Sequence, residues 1–176
     1  MTRPFARIGL LAAICITASP AFAHIVFDAP RGTAGGYYAG VLRVSHGCGA
    51  APTRSIRVEI PAAITIARPQ PKPGWTLDVE TQPLSEPVRG EGGDLITRRV
   101  SAIIWTGNLP ADQFDTFGLM LKLPANPGPL FFPTKQLCER GENDWTGIPA
   151  SPAAWHATPM PAPMLIVDED HGMHGH

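Results

Sequence analysis

Apolar and polar residues alternate with period two along much of this chain. Residues 55–60 are the cleanest case, with Ile56, Val58 and Ile60 on one side and Arg57 and Glu59 on the other. Successive side chains of a strand point to opposite faces, so the pattern predicts a half-buried strand. Pro61 ends it, because proline has no N–H to give a ladder. Residues 37–45 alternate too, with Tyr37, Ala39, Val41 and Arg43 against Tyr38, Gly40, Leu42 and Val44. In residues 114–123, Phe117, Leu119, Leu121 and Leu123 share one face. Further strands are expected at 24–28, 75–81, 94–105, 130–137 and 164–167. A Gly-rich turn is read at 32–36, a stiff proline connector at 69–74 and an ordered Pro/Ala-rich loop at 148–163. About eight or nine short strands between turn signals describe an all-β sandwich and not a βαβ fold. The 20 prolines and 18 glycines spread along the chain fit many turns better than long helices.

The amino-terminal segment breaks this pattern. Arg3 and Arg7 precede an apolar run over residues 8–16, then Ala21, Phe22 and Ala23 form a small-residue cleavage site. This is the layout of a secretory signal, and the run is too short to span a bilayer. Residues 1–23 are therefore expected to be removed, leaving one domain over 24–167 and an acidic, His-rich, disordered tail over 168–176. Cleavage after Ala21 is the rival. Lipidation at Cys15 is disfavoured by the bulky Ile14 ahead of it. Loss of the segment removes two arginines and no acid, so the formal charge moves from −1 to −3. A net acidic domain argues against nucleic acid as a partner, and no second apolar segment is long enough for a membrane helix.

Of three cysteines, Cys48 and Cys138 remain after export, and in an oxidising periplasm or cell exterior they have one intramolecular pairing. A Cys48–Cys138 disulfide is expected; a thiolate metal site is the weaker alternative, since no clustered ligand spacing surrounds either residue.

Cleavage after Ala23 makes His24 the first residue, which places a free amine and an imidazole on one residue. An α-amine of pKa about 7.7–8.0 and the ring Nδ1 can chelate one ion, and a nitrogen pair favours Cu2+. A frayed, solvated terminus is the plain alternative. His171, His174 and His176 form a second, weaker candidate for Cu2+ or Zn2+. His46 beside Gly47 and Cys48 reads better as a strand-end residue packing near the cystine. No hydrolytic site assembles: Ser45 and His46 are adjacent on a strand and face opposite ways. No phosphate loop or zinc-protease helix appears, so an enzyme is not expected.

Several strings recur together in one known family: residues 44–48 (VSHGC), Ile60 and Pro61, 71–75 (PKPGW), 114–118 (FDTFG) with 122–124 (KLP), 132–136 (FPTKQ), Cys138 with Gly141 and Trp145, and 161–163 (PAP). In order and spacing the chain resembles the YcnI-like family of secreted copper-binding proteins, from His24 to about Val167. The resemblance implies an immunoglobulin or fibronectin type III-like, cupredoxin-like β-sandwich. It also implies Cu2+ held by a mono-histidine brace, with an acidic side chain assisting and a tryptophan nearby. His24 takes the first role, Trp145 matches the tryptophan, and Asp115 is the candidate acid, with Glu142 and Asp144 as fallbacks. Trp75 and Trp105 read as core, and Trp155 as either core or site. The function implied is a periplasmic or secreted carrier, chaperone or buffer of copper homeostasis, with other copper-handling envelope proteins as partners. Two other classes stay open. One is a copper-dependent oxidase or monooxygenase, which would call for a second histidine such as His46 or His156. The other is a non-metal envelope interaction module.

Overall fold

A computed structural model describes residues 24–90 and 92–170. The expected signal segment and residues 171–176 of the tail lie outside the described residues. In chain order the strands are β1 (Val26–Phe27), β2 (Arg31–Thr33), β3 (Tyr37–Val44), β4 (Thr53–Glu59), β5 (Ala67–Pro69), β6 (Thr76–Arg89), β7 (Leu95–Leu109), β8 (Asp115–Lys122), β9 (Gly128–Phe131), β10 (Thr134–Cys138), β11 (Glu142–Trp145) and β12 (Met164–Asp168). A six-residue 3-10 helix, Pro152–Ala157, lies within the Pro/Ala-rich loop.

The expected all-β sandwich is what forms. One sheet has the order β1-β3-β8-β5, the other β11-β10-β4-β7-β6, and β2-β12-β9 make a small third sheet. The alternation predicts which faces go inward: Tyr38, Leu42 and Val44 of β3, Ile56 and Val58 of β4, and Phe117, Leu119 and Leu121 of β8 are all buried. Trp105 of β7 is fully buried against Phe117 at 5.4 Å, as core. Trp75 is partly buried and packs edge-on to Phe117 at 5.0 Å. On the wet face of β4, Arg57 pairs with Glu59 and with Glu80 of the neighbouring ribbon, each at 2.8 Å.

Among the described residues twelve strands form where eight or nine are expected. Residues 130–137 divide into β9 and β10, because Phe132 turns fully inward and Pro133 cannot donate to a ladder. β12 continues through Asp168, which pairs with Thr33 in the ladder and with the Arg31 guanidinium. Cys48 and Cys138 form the expected disulfide, with Cα atoms 6.0 Å apart. It fixes the crossover loop between β3 and β4 onto the end of β10.

Tyr38 shows how tightly the first sheet is packed. Its hydroxyl donates to the Ala29 carbonyl at 2.7 Å, and its ring covers Gly40, where any Cβ would collide with the phenol. Burial, with a smaller contribution from Asp28, pushes the phenol up to about 12 from its ordinary 10. The folded state therefore favours the neutral phenol. Its contribution to stability is complete below pH 10 and is lost as pH rises towards 12, because the unfolded chain ionises first. Denaturant unfolding at pH 9 and pH 11 should show a fall in stability that is smaller in Tyr38→Phe; an equal fall in both would contradict this assignment.

Candidate metal centre

His24 lies ahead of β1, separated from it by one residue, and the alternation of that short segment decides where it points. Ile25 and Phe27 are buried in the core, so His24 and Val26 take the opposite face. β1 is the edge of the first sheet and β11 is the edge of the second. Both edges lie on the same side of the sandwich, and the 3-10 helix covers the seam. There the His24 ring lies 5.0 Å from Trp155, 6.0 Å from Trp145 and 6.5 Å from His156, centroid to centroid. His24, Trp145 and His156 line a cavity of about 270 Å³ whose wall also includes Thr158, Pro159 and Met160, and Trp155 packs against the His24 ring.

Each wall residue is held by the fold. Trp145 ends β11, is buried, and donates its indole N–H to Gln136 Oε1 at 3.1 Å. Gln136 is itself buried and uses all its polar capacity. Its Oε1 also accepts from Asn143 at 3.1 Å, and its Nε2 donates to the His46 carbonyl at 2.7 Å and to Thr53 Oγ1 at 2.8 Å. A satisfied buried amide of this kind fixes geometry, because losing any partner leaves a costly unpaired group. Trp155 is the buried residue of the 3-10 helix and donates to the Ala162 carbonyl at 2.7 Å. His156, next in sequence, is exposed. Met160 stands in the left-handed region at φ 43, the non-glycine residue so placed among those described. Its carbonyl accepts from Gly147 N–H at 2.9 Å.

Burial lowers the His24 pKa below its usual value, and the neighbouring His156 lowers it further. The imidazole lone pair is therefore available at a lower pH than in a free histidine, which favours metal ligation over protonation.

Of the residues expected at the site, His24 and Trp145 are brought together. Asp115 begins β8 and is engaged elsewhere: Lys72 Nζ donates to it at 2.6 Å and the Thr116 N–H at 2.8 Å. Glu142 and Asp144 both clasp Lys135, each at 3.3 Å. His46 is half-buried and serves the Gln136 network through its carbonyl. His171, His174 and His176 lie outside the described residues. Among the described residues no group of three or more His, Cys, Asp and Glu side chains is arranged to hold a metal ion. An ion in this cavity would thus rest on imidazoles together with donors of other kinds: the Ile25 amide, a thioether, or the amine that His24 would carry as a first residue. Such a set fits copper, which accepts nitrogen and sulfur donors.

His156 and Met160 line the cavity and Trp155 meets the His24 ring, and sequence spacing brings none of them to His24. They reach His24 from more than a hundred residues away, and the only local hint is a tryptophan–histidine pair inside a loop rich in small residues.

Among the described residues no helix is long and apolar enough to cross a membrane. No curated protein matches the chain. A crystal structure of a Nocardia farcinica protein, described as an immunoglobulin-like fold, is similar at 27% identity and a TM-score of 0.60, covering 82% of this chain and 97% of that one. A Corynebacterium diphtheriae structure, whose description assigns it a membrane anchor, aligns at 10% identity and a TM-score of 0.38, over 73% of this chain and 34% of that one. A family model described as a domain of unknown function, DUF1775, matches residues 24–167, and the chain belongs to that family.

Proposed function

We propose that this protein is a copper-binding protein of the YcnI-like kind, exported and cleaved after Ala23, that carries or buffers Cu2+ in copper homeostasis. The observation that carries the reading is His24 lying against Trp145 in an open cavity at the start of the domain. The start of the family match at residue 24 supports the same boundary.

In the mature chain, the His24 amine and ring would form the brace, and the Ile25 amide could add a third nitrogen. Trp145 would wall the ion on the core side, and Trp155 would steady the His24 ring. The open side leaves it exchangeable, which a carrier requires more than it requires a substrate cleft. Recruiting Asp115 would mean drawing it away from Lys72, so the carboxylate is left out of the set and water completes it. His171, His174 and His176 supply weak auxiliary binding.

The test is a competitive Cu2+ titration of the chain beginning at His24. His24→Ala is expected to lower the affinity by at least about 100-fold, since even outer-sphere partners of a metal are worth about 10–100-fold. Weak tail binding should persist. Equal tight binding by both proteins would overturn the brace.

A further inference from the structure

We infer that the cavity also holds Cu+, between the imidazoles of His24 and His156 with the Met160 thioether as a soft donor. The inference rests on the proposed copper reading and extends it to the reduced ion.

Three observations carry it. The first is spacing. An ion about 2.0 Å from a nitrogen of each ring would sit roughly 3 Å from each centroid, so two rings sharing it on opposite sides would be about 6 Å apart. The His24 and His156 rings are 6.5 Å apart at an interplanar angle of 81°. That separation is within about half an ångström of the shared-ion distance. The second is the local fold: His156 is exposed at the end of a short 3-10 helix whose neighbour Trp155 is anchored to the Ala162 carbonyl. The ring is therefore held at the cavity mouth while its nitrogens stay accessible.

The third is Met160. A β-carbon at positive φ is disfavoured, and such conformations persist where the surrounding structure imposes them, often at functional sites. Here Pro159 and Pro161 flank the residue, its carbonyl is held by Gly147, and it lines the cavity with both histidines. Thioether sulfur selects Cu+, whereas amine and deprotonated amide nitrogen select Cu2+. One cavity thus offers each oxidation state its own donors, sharing the His24 ring.

The test is anaerobic Cu+ competition against a colorimetric chelator, alongside Cu2+ titration. All proteins begin at His24 and carry His171→Ala, His174→Ala and His176→Ala to remove the tail. His156→Ala is expected to weaken Cu+ by about 10-fold or more and to change Cu2+ affinity by less than about threefold. Met160→Leu, which preserves volume, should weaken Cu+ alone. Cu+ affinity unchanged by both substitutions overturns this inference and leaves the brace intact. Cu2+ binding indifferent to His24→Ala instead overturns the reading on which it rests.

Discussion

Capping the α-amine of His24 with an acetyl group is expected to lower Cu2+ affinity on the order of 100-fold, with the imidazole untouched and the fold unchanged. An acetylated nitrogen is an amide and gives up its lone pair unless it is deprotonated, so the chelate on His24 is lost while the ring remains in place. His24 precedes β1 and makes no part of its ladder, so thermal unfolding without metal should coincide for capped and free chains. This separates the brace from a plain two-imidazole site, which His24→Ala alone does not. A capped chain that binds Cu2+ as tightly as the free one would mean that the amine is not a ligand. The measurement needs only the semisynthetic chain beginning at acetylated His24, a competing chelator and circular dichroism to confirm the fold.

The second large effect concerns the cystine. Replacing Cys48 and Cys138 by alanine releases a closure of 90 residues, which in the chain-entropy model is worth about 4.5 kcal/mol of stability. For a domain of this size about 2–4 °C accompanies each kcal/mol, so a fall of roughly 9–18 °C in Tm is expected. Cys138 is buried at the end of β10, two residues from Gln136. The loop that Cys48 pins includes His46, whose carbonyl holds Gln136. The double variant should therefore also alter the tryptophan fluorescence from Trp145 before global unfolding. A loss below about 1 kcal/mol, measured by denaturant unfolding with and without reductant, would show that the crossover loop is held by packing alone.

How much of this was legible in the sequence depends on how each element is built. β4 and β8 are readable because each has one dry face and one partly polar face, and period-two alternation records that difference directly. β2, β5 and β11 are three or four residues long and leave no room for a period. β2 exists because β12 pairs with it in parallel from the far end of the domain. β5 arises at the head of the proline-rich connector because β8 offers it an edge. The β6–β7 ribbon runs further than its alternation suggests, since its distal half is exposed on both sides and carries little hydrophobic signature.

The site divides in the same way. His24 could be found from the cleavage pattern and Trp145 from the family resemblance, because both are properties of the linear chain. His156 and Met160 are brought to His24 by a helix cap, a left-handed turn and a bridge between Gly147 and Pro161. Those are tertiary facts, and spacing does not encode them. Asp115 illustrates the converse: it lies within a motif that reads clearly, yet its local partner is Lys72.

Gln136 carries a consequence for how this domain can vary. One amide serves Trp145 at the cavity wall, Asn143 beside it, Thr53 on the neighbouring strand and the carbonyl of His46 near the cystine. Among the described residues no buried side-chain nitrogen or oxygen lacks a partner, so this arrangement has no spare bond with which to absorb a change. Positions 53, 136, 143 and 145 are thus bound to a common fate. A change at any one leaves a buried polar group of the others without its partner.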